Sequence, residues 1–163
     1  MAPWLDWASA ADGVLEFLHE HVGWDVWSVS RVDGNRQVFL RSYPSTVLPP
    51  GTELSWEDSF CRAMLEGSGP RVATVTAAVP AYAALATGPL RGVAAYMGAP
   101  LVTPDLQLFG TLCGVSFRAR PRSAARDLPL VETMARLLST LLVPGFSREP
   151  TLPRPRGSGD AAG

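Results

Sequence analysis

The chain has 163 residues, 47% of them hydrophobic and 18% charged, with a formal net charge of −1 at pH 7. That is enough for one domain with its own core, and it carries no charge excess that would draw nucleic acid or anionic lipid to the chain as a whole. All 14 basic side chains are arginine, which excludes a Walker A lysine and a Schiff-base lysine.

The opening "MAPWLDWASAADG" lacks the basic region and long apolar run of a signal peptide. No later run approaches the roughly 20 apolar residues of a membrane span. Two cysteines are too few for a secreted disulfide scaffold, so a cytoplasmic location is expected. Residues 4–22 place Val14, Leu15, Leu18 and Val22 at helical spacing, and Gly23 suits the end of a first helix. His19 and His21 fall on this helix two positions apart, on different faces, and do not form a metal pair.

"WDVWSVSRV" (24–32) and "RQVFLRSY" (36–43) are rich in β-branched and aromatic residues, and "DGN" between them signals a hairpin. "PSTVLPPGTEL" (44–54) breaks regular structure. "SWEDSFCRAMLEG" (55–67) predicts a short helix, capped by Ser55 with Asp58 or by a later start at Asp58–Ser59, with Phe60, Met64 and Leu65 buried. "RVATV" (71–75) reads as a short strand. Segment 76–92 reads as a loop with one or two helical turns around Pro80–Leu85.

"VAAYMGAPLV" (93–102) and "LQLFGTLCGVSF" (106–117) are two strands joined by "TPD". A basic turn, "ARPRSA" (119–124), leads to an amphipathic helix over 125–143, with Leu130, Met134, Leu137, Leu138 and Leu141 on one face. From Ser147 the chain is Pro/Gly-rich and poor in apolar residues. A domain of 4–146 followed by a disordered tail or linker, 147–163, is expected. The element order predicts an α+β domain with one antiparallel sheet of five to six strands. Its terminal helices cover one face, and short helices and loops lie over a concave site on the other.

"DSFCRAML" (58–65), "RVATV" (71–75), "YMGAPLVTPD" (96–105) and "LFGTLCGV" (108–115) occur in order at compatible distances. Together they resemble the GAF domain family, specifically bacterial GAF sensors, over roughly residues 5–143. The resemblance implies an antiparallel sheet between two helical layers, with dimerisation through the terminal helices. It implies a ligand pocket on the far face and a signal passed to an output such as cyclic-di-GMP synthesis. Two positions depart from the family pattern: Leu106 stands where glycine is usual, in a turn that favours positive φ, and Ser116 stands where aspartate is usual.

Members of known chemistry narrow the reading. Cys61 is followed by Arg62 rather than by the histidine of bilin-attaching members. The Asn-Lys-Phe-Asp-Glu signature of phosphodiesterase GAF domains is absent, as is the cysteine set of the free-methionine sulfoxide reductases. Both histidines lie on the first helix, away from the pocket in which haem would need an axial ligand. The expectation is a non-enzymatic regulatory domain for an unidentified small molecule, with no assigned cofactor or metal and with no nucleic acid or membrane partner. Trp56, Phe60, Cys61, Tyr82, Arg91 and Tyr96 are the candidate ligand-binding residues, as rings that stack on a planar group and an arginine that binds an anion. The alternatives are a ligand-free dimerisation module, or a thiol switch or methionine sulfoxide reductase using Cys61, which falls in the first turn of its helix. Cys113 reads as a small buried strand residue.

Overall fold

A computed structural model describes residues 2–146; the expected tail, 147–163, lies outside the described residues. The chain forms α1 (Trp7–Val22), β1 (Val26–Asp33), β2 (Arg36–Tyr43), β3 (Glu53–Ser55), α2 (Phe60–Glu66), β4 (Val72–Ala73), α3 (Pro80–Leu85), β5 (Ala95–Val102), β6 (Leu108–Ser116) and α4 (Leu128–Thr140). Six strands make one antiparallel sheet in the order β3-β2-β1-β6-β5-β4. The α+β architecture expected from the sequence is the one observed.

The helix ends follow capping chemistry. Asp6 opens α1 by accepting the Ser9 backbone N–H at 2.8 Å, and the Ser9 hydroxyl answers the Asp6 backbone, a complete capping box. Gly23 closes it with φ 76°, a left-handed conformation that glycine takes without a Cβ penalty. The expected helix over 55–67 is shorter. Glu53–Ser55 pairs with β2, and that pairing removes Ser55 as a cap. Ser59 does the capping instead, accepting the Arg62 N–H at 3.1 Å. The last helix begins at Leu128 rather than 125, because 122–127 form a 3-10 turn and Pro129 suits a first helical turn, where its missing N–H has no partner to lose. Its most deeply buried residues are Val131, Ala135 and Leu138; Leu130, Met134, Leu137 and Leu141 flank them, only partly buried.

Strand alternation then builds two different faces. Trp27 and Val29 of β1, Leu112 of β6, and Ala95, Met97, Ala99 and Leu101 of β5 turn toward α1 and α4, where they meet Trp7, Val14, Leu15, Leu18 and Leu138 in the larger core. Gly114 leaves space for the Trp27 ring, which would lie 2.7 Å from any Cβ there. The opposite face is covered by the much shorter α2 and α3 and holds a smaller core of Phe60, Cys61, Met64, Tyr82, Tyr96 and Cys113.

Candidate buried polar and thiol site

On the α2/α3 face the alternation places polar side chains where a core usually has aliphatic ones. Ser28 and Ser30 of β1 pair across the ladder with Cys113 and Thr111 of β6. Gln37 of β2 reaches the same row. All five are buried, with Ser30 and Thr111 at 0% exposure and Gln37 at 1%. Burying such groups is tolerated only where each finds a partner.

Each of them does. Gln37 Nε2 donates to Ser30 Oγ at 2.9 Å, and Ser30 Oγ lies 2.9 Å from Thr111 Oγ1. Thr111 Oγ1 donates to Cys61 Sγ at 3.2 Å, and the Tyr96 hydroxyl donates to the same sulfur at 3.3 Å. A hydroxyl has one proton to give. Since Thr111 gives its own to Cys61, Ser30 gives its proton to Thr111, and the chain from Gln37 to Cys61 runs in one direction. Cys113 Sγ lies 3.3 Å from Ser28 Oγ, in the same buried cluster as Cys61. Among the described residues, the buried side-chain nitrogen or oxygen without a partner is Trp27 Nε1, on the other face.

The electrostatics follow from this geometry. Donors converge on Cys61 and hold its thiol below the ordinary range, the Cys113 contact foremost and then Thr111, Tyr96 and Gln37, against a burial that pushes it up. Cys113 moves the other way, because it holds the proton shared with Cys61 and is itself buried. Burial pushes the Tyr96 and Tyr82 phenols up, so both stay protonated donors.

The six residues picked from the sequence divide into two sets. Phe60, Cys61, Tyr82 and Tyr96 come together, with ring centroids 5.1 Å apart for Phe60–Tyr82, 5.7 Å for Phe60–Tyr96 and 5.3 Å for Tyr82–Tyr96. Trp56 packs at their edge, half-buried. Arg91 is exposed just beyond a 3-10 turn at Gly88–Leu90 and takes no part in the cluster. The three rings fill the space between the helices and the sheet. Two glycines make room for them: a Cβ at Gly98 would fall 2.2 Å from the Tyr96 hydroxyl, and one at Gly69 would fall 2.4 Å from Tyr82 Cζ. Tyr82 also donates to the Pro70 carbonyl.

Sequence reasoning missed Ser28, Ser30, Gln37 and Thr111. The signal for the serines was present in "WSVS", where they alternate with Trp27 and Val29. Both departures from the family pattern are visible. Leu106 takes φ 63° in the β5–β6 turn, although it is not glycine. Ser116 stays buried at the end of β6, where Asp25 supplies a carboxylate from elsewhere in the chain: its Oδ2 accepts from Ser116 Oγ at 3.1 Å and from the Phe117 N–H at 2.8 Å. Among the described residues no three His, Cys, Asp or Glu side chains gather as a metal site, and no helix is long and apolar enough to cross a membrane.

A family model for the GAF domain matches residues 6–142, and the chain belongs to that family. Similar solved structures include the GAF domain from an Acinetobacter phosphoenolpyruvate-protein phosphotransferase, at 12% identity and TM-score 0.66, covering 85% of this chain and 83% of that one. A free methionine-R-sulfoxide reductase from Neisseria meningitidis, solved with its substrate, is 19% identical with TM-score 0.63, covering 85% and 79%. The second GAF domain of DevS from Mycobacterium smegmatis is 15% identical with TM-score 0.57, covering 83% and 94%. Among curated proteins none matches the sequence significantly. At these identities the likeness is one of fold. Membership of the family supports a sensory or regulatory domain.

Proposed function

We propose that this GAF domain senses a small, neutral, hydrogen-bonding molecule on its α2/α3 face and regulates a signalling output, such as cyclic-di-GMP synthesis, in the cytoplasm without catalysing a reaction. The buried polar row beneath the rings carries this reading. Packing alone does not call for Ser28, Ser30, Gln37, Thr111 and Tyr96 on one buried face, whereas a recognition site uses a few polar groups within apolar walls. None of these groups is charged at neutral pH, which favours a neutral ligand. Entry requires Tyr82 to move, and Tyr82 sits on α3, a helix of 6 residues.

Native mass spectrometry of freshly purified protein, with an absorption spectrum, tests this. A co-purifying small molecule, lost in a Tyr96→Phe, Thr111→Val double variant, is the expected result. Protein that is ligand-free from several hosts and shows no thermal shift with nucleobases, nucleosides or other neutral metabolites would sink the reading.

A second reading, homodimerisation through the terminal helices, is favoured by a separate observation. Leu5, Phe17 and Val143, in or beside α1 and α4, stay exposed although the helices bury their other faces. Light scattering at high concentration separates a dimer from a monomer.

A further inference from the structure

The two thiols belong to separate elements, α2 and β6, yet they meet beneath the α2/α3 cover. A cysteine that only fills space needs no donors. Cys61 Sγ receives hydroxyl protons from Thr111 at 3.2 Å and from Tyr96 at 3.3 Å, and Cys113 sits in the same buried cluster, two residues beyond Thr111 on β6. A neutral thiol is a weak acceptor and a thiolate a strong one, so this convergence of donors suits the ionised form of Cys61. Cys113 lies opposite Gly98 in the β5–β6 ladder, and the space over Gly98 is taken by the Tyr96 hydroxyl that donates to Cys61.

We infer that Cys61 and Cys113 form a peroxide-reactive pair, in which Cys61 is the site of oxidation by a small hydroperoxide and Cys113 resolves it as an intramolecular disulfide. In the first step the Cys61 thiolate attacks one peroxide oxygen. An S–O bond forms and the O–O bond breaks, and hydroxide leaves and takes up the proton that Cys61 released on ionising. Cys61 becomes a sulfenic acid. In the second step the Cys113 sulfur attacks the Cys61 sulfur; an S–S bond forms, the S–O bond breaks, and the hydroxyl departs as water with the Cys113 proton. Two thiols lose two electrons in all, and hydrogen peroxide is reduced to two waters.

Both sulfurs are buried, at 3% and 5% exposure. Hydrogen peroxide is uncharged and little larger than water, and the cover over the pair consists of helices of only 7 and 6 residues, whose local opening is its expected route in. The disulfide would tie α2 to β6. A chemical signal would thereby change the same cover that a ligand would have to move, although the inference does not rest on any ligand being bound.

The test uses the full chain, reduced with dithiothreitol, desalted, treated with hydrogen peroxide, then unfolded and alkylated before intact-mass measurement. The expected product is a single chain lighter by two hydrogens, with neither cysteine alkylated and with both restored by dithiothreitol. A Cys113→Ser variant is expected to gain one oxygen on Cys61, trapped by dimedone, and a Cys61→Ser variant to keep Cys113 fully alkylatable. Two free thiols in the treated wild type would overturn the pairing, and so would a disulfide formed between chains. Loss of the Cys113 thiol in Cys61→Ser as fast as in wild type would overturn the assignment of Cys61. The wild-type arm needs no variant, so a misfolded substitution leaves the test intact.

Discussion

At the scale of single residues, two backbone positions are the most exposed to test. Leu106 holds φ 63° with its side chain 83% exposed, so its left-handed conformation is not offset by burial. Leu106→Gly is expected to raise stability by about 1 kcal/mol in urea unfolding; a loss of stability would mean that the leucine side chain makes a contact worth more than the strain. Gly110 is the opposite case. A Cβ there would fall 1.7 Å from the Ser30 carbonyl oxygen, which is backbone and has no rotamer to change. Gly110→Ala is expected to cost about 3 kcal/mol, by forcing β1 and β6 apart at the row that holds Ser30 and Thr111. The glycine at 110 was readable as part of a strand, but the need for it was not, because the clash comes from a residue 80 positions away in the chain.

At the scale of elements, α2 matters most. It has 7 residues, too few to persist by helix propensity alone, and depends on its cap and on the core beneath it. Ser59 is 1% exposed, accepts the Arg62 N–H at 3.1 Å and donates to the Trp56 carbonyl at 2.8 Å. Ser59→Ala is expected to lower stability by about 1–2 kcal/mol, measured by chemical unfolding. Ser59→Asp should recover part of that, since an aspartate can also accept at the cap. Both possible caps were legible in "SWEDS". The choice between them came from β2, whose edge takes Ser55 into a strand pair before the helix can begin.

At the scale of the whole molecule, the two sides of the sheet are unequal. One side is closed by α1 and α4, of 16 and 13 residues, and the other by α2 and α3, of 7 and 6. Amides of α2 and α3 are therefore expected to exchange with solvent through local opening, at free energies below the global value, while those of β1 and β6 exchange only on global unfolding. Hydrogen exchange under native conditions reads this directly. Equal protection in α2 and β6 would show that the cover opens only with the whole domain, and would remove the route proposed for a ligand or a peroxide.

The helices, the hairpin and five of the six strands could be read from periodicity and turn residues, since each is encoded within a short span of chain. So could the placing of helices on both faces of the sheet, and the motifs that resemble the GAF family place the short helices over one face. The site was only half legible. The aromatic rings and Cys61 announce themselves by residue type, but Arg91, chosen the same way, lies outside. Ser28, Ser30, Gln37 and Thr111 are ordinary polar residues in sequence and acquire meaning only when strand register sets them side by side. The placing of Cys61 and Cys113 in one cluster has the same origin. A sequence can show that each thiol sits on an apolar segment, but only the packing of α2 on the sheet brings the two cysteines into one buried cluster.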